Sequence, residues 1–342
     1  MKYNTEIIAQ LQTAAEFLKV AGATDFPGLL IQQGKLFSPG TFYSKSELKE
    51  LYTTDIYLVP EPAKLAKSAG LMRPAVSCGD NTQISDGKKH VKALYTVPEN
   101  RRDFEYSFPS LYPDEFIFNI DAAEFKAFVT SAKKFTAAKT SAYEALRGLA
   151  IKNGYGVACD GFSAYRRKLI QDGTDELLIN KPLAETLAKT ATGTISIYRR
   201  GSQVFYDTDE FVYIDHAKDG LSFCDVSVAF KEDRTEAAEI KSDSIKDSLN
   251  FLSVSDKMDK NLVIFRADKM ETYFSEASDV SGMTFSTETA FNLKYLINAV
   301  SIFPKNTTVE TRHDNSPVDP ITFKSGTEEV AVLPVRIANR DK

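Results

Sequence analysis

Apolar residues recur at helical spacing in three widely separated segments of the chain. The first segment follows the i, i+3, i+4, i+7 rhythm of one buried helix face, and Gly22 stands where such a helix would end. The second segment follows Asp121, a good N-cap residue, and the third follows Ser242 and Ser244. The apolar positions are Ile7, Ile8, Leu11, Ala14, Ala15 and Leu18; Phe125, Phe128, Val129, Ala132 and Phe135; and Ile245, Leu249 and Leu252. These patterns predict helices that begin near residues 5, 121 and 243.

A second series of short amphipathic helices alternates with the first. Each member follows an apolar segment that ends in a cap residue or a proline. This pattern predicts helices over residues 62–69, 182–190 and 293–302. Both series recur at intervals of about 110 to 120 residues, which is the size of a domain. We therefore predict three similar domains, over residues 1–113, 114–233 and 234–342.

The segments between these helices have the pattern of short strands separated by turn residues. Residues 150–158 contain the turn pair Asn153-Gly154, and further strands are predicted over 194–199, 204–206, 261–266 and 330–337. Each predicted domain thus combines two helices with several strands.

Composition limits the classes of protein to which the chain can belong. Its 342 residues carry 42 basic and 47 acidic side chains, a net charge of −5, and 43% are hydrophobic, which favours packed cores over disorder. The three cysteines, Cys78, Cys159 and Cys224, include no C-x-x-C pair, so we expect a reduced, cytoplasmic chain. No apolar stretch approaches the roughly 18 residues of a membrane span, so we expect no membrane association.

Lysines recur on the polar faces of the predicted helices. On a helix from Asp121 to Ala138, Lys126 and Lys133 would point within about 20° of each other, opposite the apolar stripe, with Lys134 beside them. Lys64, Lys67, Lys181, Lys189 and Lys246 lie in the corresponding helices. A solvated face explains any one helix, but recurrence at equivalent positions favours a shared cationic surface.

Catalytic motifs are hard to find in this sequence. The histidines are His90, His216 and His313, and none lies in a recognisable catalytic motif. No phosphate-binding glycine loop and no calcium-loop spacing is present, so we predict no cofactor and no metal. The strongest enzyme candidate is a cysteine hydrolase that uses Cys159 with His216, although Cys159 ends a predicted strand, where a buried structural thiol is ordinary.

Several motifs resemble those of bacterial DNA polymerase III β sliding clamps. Residues 330–337, Val-Ala-Val-Leu-Pro-Val-Arg-Ile, resemble the closing strand of that family. Ala158-Cys159-Asp160-Gly161 is similar to its A-T-D-G strand end, and residues 291–296 are similar to its F-N-x-K-Y-L helix start. Leu146-Arg147-Gly148 stands where the family has a similar leucine and glycine. The resemblance spans nearly the whole chain and is clearest over residues 116–169 and 291–337.

This resemblance implies an α+β DNA-clamp fold, in which three similar domains each pack helices on antiparallel sheets and two subunits close head to tail into a ring. The family encircles double-stranded DNA without reading its sequence and acts as a processivity factor in DNA replication, with no catalytic group. By position, the DNA-facing residues would be Lys64, Lys67, Lys126, Lys133, Lys134, Lys181, Lys189 and Lys246. Closure as a homodimer would bring Lys88, Lys89 and Lys92 against Glu271, Glu276 or Asp279.

The family also holds the replicative DNA polymerase and the clamp loader through linear peptides in an apolar pocket between its middle and last domains. Carried over by position, the pocket residues are Leu146, Cys159, Gly161, Phe162, Leu333, Pro334, Val335 and Arg336. The chain departs from the pattern at Phe162-Ser163-Ala164, where clamps have a histidine, an arginine and a leucine, and residues 224–229 lack the usual proline and arginines. Pocket shape, and with it the choice of partner, is therefore expected to differ.

Two rival functions stay open. A clamp-like protein could bind polymerase or clamp-loader peptides without encircling DNA, and the Cys159 hydrolase is the second alternative.

Overall fold

The computed structural model describes residues 3–20, 28–48, 57–59, 63, 75–77, 83–85, 90–92, 95–96, 108–170, 176–217, 220–234, 236–255, 262–272, 276–278, 284–314 and 316–336. Within them, the α-helices are α1 (Tyr3–Val20), α2 (Ala122–Ala132), α3 (Lys181–Thr190), α4 (Ser242–Ser255) and α5 (Leu293–Ser301). These confirm five of the six predicted helices; of the sixth, over 62–69, only Ala63 is described, and the rest lies outside the described residues. No helix in these ranges is both long enough and apolar enough to cross a membrane.

The strands are short and every pairing between them is antiparallel. In chain order they are β1 (Leu29–Gln32), β2 (Lys35–Ser38), β3 (Phe42–Ser44), β4 (Tyr57–Val59), β5 (Ala75–Ser77), β6 (Gln83–Ser85), β7 (His90–Lys92), β8 (Tyr95–Thr96), β9 (Phe116–Asp121), β10 (Leu149–Lys152), β11 (Tyr155–Cys159), β12 (Ser163–Lys168), β13 (Leu177–Ile179), β14 (Thr194–Arg200), β15 (Gln203–Asp207), β16 (Phe211–His216), β17 (Glu236–Lys241), β18 (Leu262–Ala267), β19 (Lys269–Glu271), β20 (Glu276–Ser278), β21 (Phe285–Asn292), β22 (Thr308–His313), β23 (Ile321–Ser325), β24 (Glu328–Val332) and β25 (Pro334–Val335). The α+β composition predicted from the sequence is confirmed.

The chain divides into two compact units, residues 1–126 with 182–220 and residues 127–181 with 221–342. In the first unit, nine strands form one sheet in the order β8-β4-β1-β2-β3-β16-β15-β14-β9, and β5-β6-β7 form a small second sheet. The large sheet joins the first and second predicted domains, since Tyr43 of β3 pairs with Val212 of β16. Phe17 of α1 covers this sheet, with its ring 5.5 Å from Phe42 and 5.1 Å from Tyr213.

In the second unit, eight strands form a sheet in the order β13-β10-β11-β12-β24-β23-β22-β17, and five form a sheet in the order β20-β19-β18-β21-β25. The pairing of β12 with β24 joins the second and third predicted domains, and the ion pair between Arg166 and Glu329 bridges it at 2.6 Å. Phe128 and Phe135 stack on the buried ring of Tyr165 at 6.2 Å and 5.5 Å. Because each large sheet crosses a predicted boundary, the three-domain division stays a prediction.

Two sequence-based expectations about single elements were wrong in detail. The helix predicted from Asp121 to Ala138 ends at Ala132 and tightens into a 3₁₀ turn over residues 133–135, after which Thr136 is extended. The strand predicted over 330–337 is broken at Leu333 into β24 and β25, which belong to different sheets. Pro334 cannot donate a backbone hydrogen bond, so continuous pairing through this position is unfavourable.

Candidate peptide-binding pocket and nucleic-acid interface

A tight turn at the end of β11 presents Phe162 to solvent. Asp160 Oδ1 accepts hydrogen bonds from the backbone N–H groups of Phe162 (2.9 Å) and Ser163 (2.7 Å), and from the Ser163 hydroxyl (3.1 Å). Gly161 has a backbone φ of +93°, a conformation that residues other than glycine rarely adopt. The turn therefore fixes the backbone while the Phe162 side chain stays 57% exposed.

The break between β24 and β25 lies directly opposite this turn. The Leu333 N–H donates to the Phe162 carbonyl oxygen at 2.9 Å, and the Leu333 side chain is 39% exposed. Pro334 and Val335 are half-buried and pair with Phe291 and Ala290 of β21. The structure thus brings Phe162 next to Leu333, two of the residues predicted for the pocket, and Arg336 further along the chain is exposed.

Two small apolar clusters, called the apolar floor below, include Cys159 and Ala164 on either side of the turn and Ala331 of β24. Leu146 and Cys159 pack against buried Ala150, Val157 and Phe223. Cys159 also packs against the second cluster, in which Ala164, Phe230 and Ala331 are buried. Cys159 therefore links the two clusters, and Val226 contacts both.

Sequence reasoning missed Phe223, Val226 and Phe230, which supply much of this floor. Their spacing of three and four residues could have indicated one apolar face, and residues 227–230 do form a 3₁₀ turn with Phe230 buried. The family motif has a proline and arginines over residues 224–229, so it gave no indication that this segment contributes apolar side chains.

Cys159 and Cys224 interact through their thiols. The Cys159 S–H donates to Cys224 Sγ, and this bond together with burial raises the pKa of Cys159 far above its ordinary value. The same bond lowers the pKa of Cys224 to about 7. A nucleophilic cysteine needs a stabilised thiolate, so these shifts favour a structural Cys159 over the hydrolase alternative. His216, the proposed base, is exposed at the end of β16.

A groove of about 410 Å³ opens beside Phe162. The Phe162 and Tyr295 rings stack at 5.5 Å with 13° between their planes, and both line the groove. The remaining lining residues are Lys134, Thr136, Ala137, Ala138, Ser141, Asp160, Lys294 and Asn298. Only Lys134 and Phe162 of this set were predicted as site residues; Tyr295 lies in the helix-start motif that was recognised but given no role.

Four of the predicted DNA-facing lysines gather in the second unit. Lys181 Nζ donates to the Lys133 carbonyl and to Thr136 Oγ1, both at 2.9 Å. Lys246 Nζ donates to the Phe303 carbonyl at 2.6 Å, and Lys134 Nζ donates to Ser301 Oγ at 2.9 Å. Partial burial and the charges of Lys246 and Lys133 lower the pKa of Lys134, while Glu328 opposes the shift. Cationic side chains are therefore crowded here.

The other predicted lysines are less concentrated. Lys126 is exposed on α2. Lys189 is exposed on α3, where its Nζ lies 3.3 Å from Glu16 Oε1 and its charge is partly balanced. Lys64 and Lys67 lie outside the described residues.

The residues predicted at a subunit interface are described only in part. Lys88, Lys89 and Asp279 lie outside the described residues, while Lys92 belongs to β7 and Glu276 to β20. Among the described strands, β7 and β20 are each at the edge of a sheet. Glu271 lies 3.9 Å from Arg266 Nη1 within its own sheet.

The helix α4, which packs beside β20, carries two exposed apolar residues. Phe251 and Val254 are one turn apart on α4, and they are 55% and 73% exposed. The sequence pattern assigned the buried stripe of this helix and left these two residues without a role.

Comparisons with known proteins address the fold. No family model and no curated protein matches the chain. Among solved structures, a putative DNA polymerase III β subunit from Eubacterium rectale matches with a TM-score of 0.76 at 14% identity, and the β subunit from Thermotoga maritima with 0.76 at 18%. The Helicobacter pylori β clamp bound to a DNA ligase peptide matches with 0.74 at 13%. Each match covers 98% of both chains. The chain therefore has the fold of these β subunits over nearly its whole length, which confirms the clamp fold expected from the motifs.

Proposed function

We propose that the chain is a DNA sliding clamp, a non-enzymatic processivity factor that encircles duplex DNA and tethers a replicative polymerase. The observation that carries this proposal is the match of fold across 98% of the chain to three β subunits or clamps. A clamp acts through its complete architecture, so similarity over the whole chain is stronger support than one shared domain would be.

The lysines of the second unit support the proposed contact with DNA. Lys133, Lys134, Lys181 and Lys246 provide positive charge for phosphates and no base-reading arrangement. Contacts of this kind are screened by salt and independent of sequence, which suits a protein that must slide. The net charge of −5 limits adhesion elsewhere on the surface.

The apolar floor around Cys159 supports the proposed peptide pocket. Phe162 and Leu333 are exposed, while Ala164 and Ala331, two residues from each along the chain, are buried in one of the apolar clusters. An incoming apolar side chain could therefore be covered on more than one side. A few such anchors can supply most of the affinity of a peptide interface. Arg336 is placed beside them in the chain and could contact the peptide backbone.

We propose that the active form is a homodimer of three-domain subunits. The edge strands β7 and β20 could pair between two copies, with Lys92 opposite Glu276, and Phe251 and Val254 would be covered nearby. Two such subunits would form one ring of six domains, with each chain divided into its three domains after residues 113 and 233.

The rival function is a clamp-like protein that binds peptides without encircling DNA. One observation favours it: Glu16 partly balances the charge of Lys189, which is one of the predicted DNA-facing lysines. An assay of DNA synthesis separates the two functions. The protein is added to the host replicative polymerase, its clamp loader and ATP on a primed circular template, and the length of DNA made per polymerase binding event is measured. A sliding clamp lengthens the products, whereas a protein that sequesters polymerase or loader peptides shortens them.

A further inference from the structure

The groove beside Phe162 has a chemistry unlike that of the apolar floor. Lys134 and Lys294 line it together with the stacked rings of Phe162 and Tyr295. Lys294 is exposed on the first turn of α5, where its backbone N–H donates to Asn292 Oδ1 at 3.0 Å. Two lysines and two aromatic rings thus line the same space.

Charges around the groove increase its positive potential. Lys134 is held toward Ser301, and the charges of Lys133 and Lys246 act on it. Arg147 donates through Nε to the Ser141 carbonyl at 2.9 Å, which places a further cation next to the lining.

Two carboxylates near the groove are already engaged by other groups. Asp160 lines the groove, but its Oδ1 accepts three hydrogen bonds from Phe162 and Ser163. Glu328, which acts on Lys134, accepts from Ser131 and Tyr165 and lies 3.2 Å from Arg167. The negative charge of Asp160 remains, and burial together with this charge raises the pKa of Tyr295. The groove still has more cations than anions around it, because Lys134 and Lys294 line it and Arg147 lies next to the lining. A ligand carboxylate would therefore meet more positive than negative charge.

Phe162 belongs to both the groove and the proposed peptide pocket. Its ring lines the groove through the stack with Tyr295, while its carbonyl oxygen is bonded to Leu333 of the pocket. A peptide whose apolar anchors contact Leu333 can therefore continue past Phe162 into the groove without leaving the protein surface.

We propose that this groove selects partner peptides that carry acidic residues next to their apolar anchors, with Lys134 and Lys294 as the residues that determine this specificity. The inference rests on the proposed function, because the anchors must occupy the neighbouring pocket.

The test uses fluorescence anisotropy and the DNA ligase peptide that the Helicobacter pylori clamp binds. The peptide is compared with versions extended by two aspartates, two asparagines or two lysines, at its amino end in one series and at its carboxyl end in another. At low salt, the aspartate extension at one of the two ends is expected to bind about three- to ten-fold more tightly than the asparagine extension. The preference should decline at high salt.

Variants assign the effect to the groove. Lys134→Ala with Lys294→Ala should abolish the preference for aspartate and leave binding of the unextended peptide unchanged. Lys294→Glu should shift the preference toward the lysine extension, while the matched change Lys305→Glu, at an exposed lysine outside the groove lining, should not. Thermal unfolding of each variant reports whether the fold is retained, and these exposed side chains are not expected to alter it.

The alternative occupant is single-stranded nucleic acid, since bases can stack on aromatic rings and phosphates can pair with lysines. If a labelled oligothymidylate binds and loses affinity in the double alanine variant, while all peptide extensions bind equally, the acidic-peptide proposal is wrong. Equal binding of all extensions with the unextended peptide still bound also overturns this inference alone. Failure of every peptide to bind would contradict the peptide pocket of the proposed function, and the inference with it.

Discussion

Leu333 and Phe162 are joined by one backbone hydrogen bond, from the Leu333 N–H to the Phe162 carbonyl at 2.9 Å, while both of their side chains are exposed. Backbone that is fixed in this way can present apolar side chains to a partner with little loss of conformational entropy on binding. The bond also continues the pairing of Ser163 with Val332 by one residue, and the break between β24 and β25 follows at Pro334, which has no N–H to donate.

Leu333→Ala combined with Val335→Ala should weaken binding of a partner peptide by about 2 kcal/mol, or roughly 30-fold in Kd, because two apolar walls of the pocket are removed. Calorimetric titration measures the change. Val318→Ala, at an exposed valine remote in sequence from the pocket segments, is the matched control and should have no effect. Unchanged affinity in the double variant would show that the pocket lies elsewhere.

The Cys159–Cys224 pair predicts a specific order of thiol reactivity. In a Cys78→Ser background, alkylation of Cys224 should accelerate as the pH is raised through about 7, because its thiolate forms there, while Cys159 stays protonated and slow. Removal of the donor by Cys159→Ala should move the Cys224 midpoint upward, toward 9.0. Mass spectrometry of the labelled peptides reads both sites. Faster labelling of Cys159 than of Cys224 at neutral pH would instead support the hydrolase alternative.

Replacement of Lys133, Lys134 and Lys246 with glutamate should shorten residence on DNA, and the loss should be larger at low salt than at high salt. The reason is that these lysines are crowded in one unit and would contribute phosphate contacts together. Single-molecule dwell times on a long duplex measure the effect, with Lys305→Glu as the single-site control. Dwell times indifferent to all three substitutions would mean that these side chains do not face the duplex.

If the protein is the proposed homodimer, Phe251→Asp with Val254→Asp should convert it to a monomer, because a charge at each position would be desolvated inside the proposed interface. Sedimentation equilibrium gives the mass directly. Val318→Asp changes a similarly exposed apolar residue outside α4 and should leave the dimer intact. A dimer that survives the double substitution would place its interface away from this helix face.

The sequence was most informative where one periodicity dominated. Leu249 and Leu252 of α4 and Phe128 of α2 are fully buried, as their helical spacing predicted. The turn pair Asn153-Gly154 joins β10 to β11 with positive φ at both residues, +52° and +76°, as that pair favours.

The candidate site was less predictable because it depends on contacts between distant segments. Tyr295 stacks on Phe162, which is more than a hundred residues earlier, and neither residue has a local pattern that reveals the other. Lys133 and Lys134 were placed by a helical angle that does not apply in the 3₁₀ turn where they lie. Phe251 and Val254 were hidden because periodicity identifies the buried face of a helix and not an apolar residue that is left exposed.

Retention on DNA tests the central claim most directly. The protein is loaded onto nicked circular plasmid with the host clamp loader and ATP, passed through a sizing column at high salt, and measured again after the plasmid is cut once. A closed ring predicts protein that stays with the circle and is lost from the linear form, since it can slide off the ends. Equal retention on both forms, or none on the circle, would contradict the account.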